Sequence, residues 1–256
     1  MKIHFYKYEG TGNDFILIDN RNQTFEKGEE LIRQICDRRF GVGADGLILL
    51  ENNEKADFKM VYYNSNGRES TFCGNGGRCI VAFARFLGII QDSTRFEAKD
   101  GIHEASVKAD SIRLKMRDVK DIKRRENGYE LFTGSPHFVE FRGHVMQLDV
   151  KSEGRQIRTM VDWMPDGINV NFVEKKTDGI FVRTYERGVE DETLSCGTGV
   201  TASALIAAFD GYNSPVNVET PGGFLQVEFE RKGSYTYSDV FLTGPARLVF
   251  EGTIEI

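Results

Sequence analysis

At 256 residues with a net charge of −6, the chain has enough sequence for two domains of roughly 120 residues each and carries no basic field for holding nucleic acid. Its longest apolar stretch, Ile80 to Ile90, is broken by Arg85 and too short to span a membrane, and the opening Met1-Lys2-Ile3-His4 lacks the apolar core of a signal peptide. A cytoplasmic protein with four reduced cysteines is expected, and no metal, because Cys73 and Cys79 lack paired Cys/His ligand spacing.

Taken in chain order, the β-branched and aromatic runs Phe15 to Ile18 and Lys59 to Tyr63 predict strands, with a helix over Glu29 to Arg38 between them. A second helix is predicted over Gly76 to Leu87, with Ile80, Val81, Phe83, Ala84 and Leu87 apolar. Strands follow at Arg113 to Met116, Phe138 to Phe141 and Ile180 to Tyr185. The stretch Gly199 to Phe209 is alanine-rich and apolar on most faces, as a helix buried inside a curved sheet would be. Leu225 to Phe229 is a further strand, and Thr243 to Phe250 is expected to close the chain by crossing back to pair with the first domain.

These elements repeat. Ser70-Thr71-Phe72-Cys73-Gly74-Asn75-Gly76 and Thr193-Leu194-Ser195-Cys196-Gly197-Thr198-Gly199 align without a gap, 123 residues apart, and each leads into an apolar helix ending in glycine, Gly88 or Gly211. Tyr62 and Glu69 match Tyr185 and Glu192 at the same spacing, and Thr11-Gly12 answers Thr133-Gly134. Several boxes kept in order predict two copies of one fold. The expectation is α+β: two similar domains, each a strand-rich curved sheet or barrel around a central helix. They are placed at 1–118 with the closing strand 243–256, and at 119–242, with the active site in the cleft between them.

A cysteine followed by Gly-Asn-Gly or Gly-Thr-Gly at a helix start sits among unpaired backbone N–H groups at the positive end of the dipole. That setting favours a thiolate and can hold a carboxylate. One such box reads more simply as a tight turn beside an inert cysteine; two in register point to a pair of acid/base thiols, Cys73 and Cys196, serving inversion at carbon. Cys36 and Cys79 read as core cysteines. Taken alone, His137 reads as a structural histidine, Glu186-Arg187 as a solvated turn, and Asn64, Asn66 and Gly67 as hairpin residues. A phosphate loop at Gly74 to Gly77 lacks the following Lys-Ser/Thr.

At Gly10-Thr11-Gly12-Asn13-Asp14-Phe15, Gly41 to Gly46, Cys73-Gly74-Asn75-Gly76, Tyr185-Glu186-Arg187-Gly188, Glu192-Thr193 with Cys196-Gly197-Thr198-Gly199, and Pro221-Gly222-Gly223, the chain resembles diaminopimelate epimerases. The resemblance covers essentially the whole length. It implies a cofactor-independent enzyme, free of pyridoxal phosphate and metal, interconverting LL- and meso-diaminopimelate in lysine and peptidoglycan biosynthesis, often as a homodimer. It implies that Cys73 and Cys196 are the catalytic pair, with His137 and Glu186 in support. Gly74, Asn75, Gly197 and Thr198 would hold the reacting carboxylate, and Asn13, Asn64, Asn169, Glu186 and Arg187 would read the distal amino-acid group. Two departures bear on the distal group: Ser135 stands where the family commonly has Asn, and Gly46 where some members have Gln. The competing classes are a proline or hydroxyproline racemase, a dithiol oxidoreductase and an amino-acid-binding protein.

Overall fold

In the computed structural model, which describes residues 2–256, the chain divides into two compact units, Met1–Leu114 with Gly244–Ile256, and Lys115–Thr243.

The first unit begins with strands β1 (Lys2–Gly10) and β2 (Asn13–Asp19), antiparallel about the Thr11-Gly12 turn. Helix α1 (Glu29–Cys36) crosses to β3 (Gly46–Glu51), which runs parallel to β2, and β4 (Phe58–Asn64) returns antiparallel to β3. After α2 (Gly74–Phe86), β5 (Ser93–Ala98) runs parallel to β4 and pairs with β6 (Gly101–Lys108), which pairs in turn with β7 (Ser111–Lys115). All six residues of β3 are buried, because both faces of the sheet are covered. Ile16, Ile18, Leu47, Leu49, Val61 and Tyr63 pack with Ile32 and Ile35 of α1. On the opposite face, Ile48 and Met60 reach the Gly76 end of α2.

The second unit repeats this plan after the hairpin β8 (Ile122–Arg125) and β9 (Gly128–Phe132). β10 (Pro136–Phe141) leads through α3 (Val150–Arg158) to a parallel partner, β11 (Asn169–Lys176), and β12 (Gly179–Glu186) returns antiparallel. The short β13 (Asp191–Thr193) precedes α4 (Gly197–Ala207). β14 (Val216–Thr220) is parallel to β12, followed by β15 (Gly223–Arg231) and β16 (Tyr237–Pro245). The apolar face of α3 joins Phe138, Val170, Phe172, Phe181 and Tyr185 in the core, and α4 is buried along almost its whole length. Two of its hydroxyls return to the helix backbone, Thr201 to Gly197 O at 2.9 Å and Ser203 to Gly199 O at 2.8 Å, so polar side chains survive burial.

The α+β class and its duplication follow the sequence pattern, while several boundaries do not. Both buried helices start two residues before the expected Gly76 and Gly199, at Gly74 and Gly197, because packing overrides the poor helix propensity of glycine. Helix α1 stops at Cys36 rather than Arg38, where Asp37 turns extended. The stretch expected as one strand, Thr243 to Phe250, is divided at Ala246: Thr243 to Pro245 end β16, and β17 (Arg247–Glu255) lies antiparallel to β1. Helix α3 was not expected at all; it buries only Val150, Gly154 and Ile157. No helix is long and apolar enough to cross a membrane among the described residues.

Candidate active site

Cys73 and Cys196 occupy the same local position, each the residue preceding a buried helix. Their backbones are extended and nearly superimposable in dihedral angle, φ −117°, ψ 123° at Cys73 and φ −114°, ψ 110° at Cys196. The cysteine carbonyl accepts the first intrahelical bond in each case, from Gly77 N at 2.7 Å and from Val200 N at 2.8 Å. Neither side chain caps its helix, and neither first turn holds an acidic residue. The positive ends of both helices therefore face whatever binds beside the sulfur. Glycine is required by packing: a Cβ at Gly77 would lie 2.5 Å from the Phe72 ring.

In the first unit the Thr11-Gly12 turn, with both residues at positive φ, carries Asn13 to Cys73. Asn13 donates through Nδ2 to Asp45 Oδ2 at 2.6 Å, so its Oδ1 faces Cys73 Sγ at 3.8 Å and accepts from Asn75 Nδ2 at 3.3 Å. Asp45 also accepts from Arg38 at 2.7 Å. Arg38 bridges to Asp14, which takes a second ion pair from buried Lys7 at 2.8 Å. Burial works to raise the Asp14 pKa, but the Arg38 and Lys7 hydrogen bonds outweigh it and hold the carboxyl at about 2. Asn64 ends β4 opposite Gly46, and no hydrogen bond joins its side chain to the Cys73 group among the described residues. A Cβ at Gly46 would lie 2.5 Å from the Tyr63 carbonyl and 2.6 Å from the Tyr62 ring, which is why no larger residue stands there.

In the second unit His137 is fully buried at the start of β10, and Nε2 lies 2.9 Å from both Ser135 Oγ and Thr198 Oγ1. Thr198 Oγ1 is 3.5 Å from Cys196 Sγ, so a hydroxyl connects the imidazole to the sulfur. Burial, reinforced by the Arg187 charge, pushes the His137 pKa down to about 3 and keeps the ring neutral. Asn169 donates to Pro136 O at 2.9 Å and Ser135 Oγ at 3.1 Å, and its Oδ1 accepts from Arg187 N at 2.8 Å. Glu186 accepts from Thr193 Oγ1 at 2.9 Å. Cys196, Thr198, His137, Asn169 and Arg187 thus form one hydrogen-bonded group.

Three members of this group were not singled out by sequence as belonging to it. Ser135 was expected near a distal carboxylate, and its hydroxyl meets His137, Asn169 and, at 3.2 Å, Thr198. Thr133 donates to Thr198 O at 2.8 Å. Asn171, with no solvent exposure, donates to His137 Nδ1 at 3.1 Å. Its signal was an amide two residues after Asn169, set among Val170, Phe172 and Val173 in the buried first half of β11.

A family model described as diaminopimelate epimerase matches residues 5–120 and 131–249. Among curated relatives, the diaminopimelate epimerase of Flavobacterium psychrophilum is 52% identical over 97% of this chain and 99% of its own length. That of Chlorobaculum tepidum is 45% identical over 96% and 99%. Among crystal structures, a PhzF-family phenazine biosynthesis protein from Bacillus anthracis has a TM-score of 0.76 at 16% identity, with all of both chains covered. A hydroxyproline epimerase from Agrobacterium vitis has a TM-score of 0.69 at 15% identity, covering 99% of this chain and 92% of its own. At such identities these two speak to the fold alone.

Proposed function

The chain belongs to the diaminopimelate epimerase family, and from that premise we infer that it interconverts LL- and meso-diaminopimelate by cofactor-independent proton transfer between Cys73 and Cys196. The observation that carries the two-thiol reading is the matched placement of the cysteines, each before a buried helix with no side-chain cap. One thiolate removes the α-proton and becomes a thiol. The other thiol gives its proton to the opposite face of the carbanion and becomes a thiolate, so the overall charge is unchanged. The α-proton of an amino acid is weakly acidic, so the developing negative charge must be met by fixed donors. The N–H groups at Gly74-Asn75 and Gly197-Thr198 are suited to bind the reacting carboxylate, which takes up that charge.

Arg187 offers a two-pronged donor for the distal carboxylate and Glu186 an acceptor for the distal ammonium, with Asn13, Asn64 and Asn169 completing recognition. Fixing Arg187 through Asn169 supports this assignment, because a held backbone narrows the positions of its guanidinium. His137 and Glu186 support the thiols. The working form is proposed to be a cytoplasmic homodimer, which light scattering on the eluted protein would report as twice the 29.0 kDa chain mass.

The test is turnover of LL-diaminopimelate in deuterated water, with the stereoisomers resolved and proline as the control substrate. Product should carry deuterium at one α-carbon, and Cys73→Ala or Cys196→Ala should lower kcat by about 100-fold or more. Undiminished turnover in either variant would falsify the two-thiol mechanism.

A further inference from the structure

The direction of the hydrogen bonds that lead through Thr198 to Cys196 can be assigned from two carbonyl oxygens. The Phe138 carbonyl can only accept, so the Asn171 atom 2.9 Å from it is the amide nitrogen. The second hydrogen of that nitrogen points to His137 Nδ1, which is therefore the unprotonated nitrogen of a neutral ring, and the ring proton sits on Nε2. The Pro136 carbonyl fixes Asn169 in the same way, so Asn169 donates to Ser135 Oγ. Ser135 cannot pass its own hydrogen to a protonated Nε2 and turns it to Thr198 Oγ1. Thr198 Oγ1 then receives from Ser135 and His137, and its own hydrogen is left for Cys196 Sγ. Asn171 is itself held by Thr184 Oγ1, which donates to its Oδ1 at 3.0 Å.

We propose that Asn171 is a positioning residue: by fixing the His137 tautomer it makes the Thr198 hydroxyl a permanent donor to Cys196, which therefore rests as the proton-accepting sulfur. A sulfur that receives a hydrogen bond is stabilised as thiolate, whereas a free ring tautomer would let Thr198 turn its hydrogen back to Nε2. The charged groups bordering this chain are Arg187, whose field reaches His137 and opposes its protonation, and Glu186, which accepts from Thr193. The Arg187 field therefore favours the neutral ring. The inference rests on the two-thiol reading for its catalytic meaning, but its physical content concerns one unit and one sulfur.

Two measurements test it. Long-range proton–nitrogen correlation spectra of labelled protein, with the His137 signals assigned by their loss in His137→Gln, should show Nε2 protonated and Nδ1 bare at neutral pH. Iodoacetamide labelling followed by site-resolved mass spectrometry should give a pH midpoint for each thiol, a quantity that differences in access to the sulfur do not move. In Asn171→Leu, which keeps the branching and the number of heavy atoms and removes the donor, the Cys196 midpoint should rise by about one pH unit, tenfold slower labelling at a fixed pH below the midpoint. The Cys73 midpoint should stay in place, which a general loosening of the fold would not produce. A ring protonated on Nδ1 in the native protein would overturn the proposal, even if the variant failed to fold. So would an unmoved Cys196 midpoint in a folded variant. Undiminished turnover in Cys73→Ala or Cys196→Ala would sink the two-thiol reading and leave these results untouched.

Discussion

Gly199 lies directly beneath the side-chain amide of Asn171: a methyl group added at 199 would overlap Oδ1 well inside contact distance. Alanine ordinarily improves a helix interior over glycine by about 1 kcal/mol. Here the methyl must displace a buried amide hydrogen-bonded to His137, Phe138 and Thr184, and overpacking of that kind costs about 1–3 kcal/mol. Gly199→Ala should therefore lose about 1 kcal/mol net, seen by calorimetry as a melting temperature about 2–4 °C lower. An increase would show that the amide can move aside.

Asp45 holds the Asn13 amide in the orientation that turns Oδ1 toward Cys73. Without that carboxylate the amide can flip and offer its NH2 to the sulfur instead. Asp45→Ala should lower kcat/KM about 10- to 100-fold, the worth of one hydrogen bond to a charged group, with an unchanged circular dichroism spectrum. The fold should tolerate the change because Asp45 is exposed and Arg38 keeps Asp14 as a partner. Unchanged kcat/KM would remove Asp45 from any role at the site.

What sequence made legible were the features that repeat or punctuate: two glycine-flanked cysteines, two apolar helices, and strands with unbroken β-branched runs. Helix α3 was hidden because Val-Lys-Ser-Glu-Gly-Arg-Gln-Ile-Arg buries only two side chains, Val150 and Ile157, beside Gly154, too few to mark an apolar face over nine residues. Its glycine has a tertiary cause, since a Cβ at Gly154 would overlap Tyr185. Asn171 and Ser135 were hidden for another reason. Their partners, His137 and Thr198, stand 34 and 63 residues away, and hydrogen-bond direction emerges only when strand and helix are brought together. The β16–β17 break escaped because both segments share one strand-like pattern, whereas the chain changes pairing at Ala246.

Arg78 is the largest described side chain with no solvent exposure, and burial lowers its pKa despite the opposing influence of Cys79, Cys73 and Glu9. Its Nη2 donates to Thr11 Oγ1 at 3.0 Å and its Nε to Pro245 O at 3.3 Å, tying the β1–β2 turn to the approach of β17. Lysine has one donor group and cannot span both acceptors. Arg78→Lys should cost about 1–3 kcal/mol in denaturant unfolding, with faster hydrogen exchange at Gly10–Asn13 and the first residues of β17. Uniform acceleration across the unit would argue against a local tie.

His137 also sets an acid limit on stability. Its pKa falls from the ordinary 6.5 to about 3 on folding, through burial and the Arg187 charge, so the unfolded chain binds a proton the folded chain refuses. Stability from this residue is complete above pH 6.5 and declines as pH falls from 6.5 toward 3, by about 1.4 kcal/mol per unit once below 6.5. Asp14 acts in a separate window: its lowered pKa contributes stability above its ordinary 3.8 that is lost as pH falls toward 2. Urea unfolding between pH 6 and 5 therefore isolates the histidine. The native protein should lose about 1 kcal/mol across that interval, and His137→Gln, whatever its absolute stability, should be flatter by the same amount. Equal slopes in the two proteins would mean that His137 takes up its proton on Nδ1 without unfolding, and that the Asn171–Nδ1 contact opens in acid.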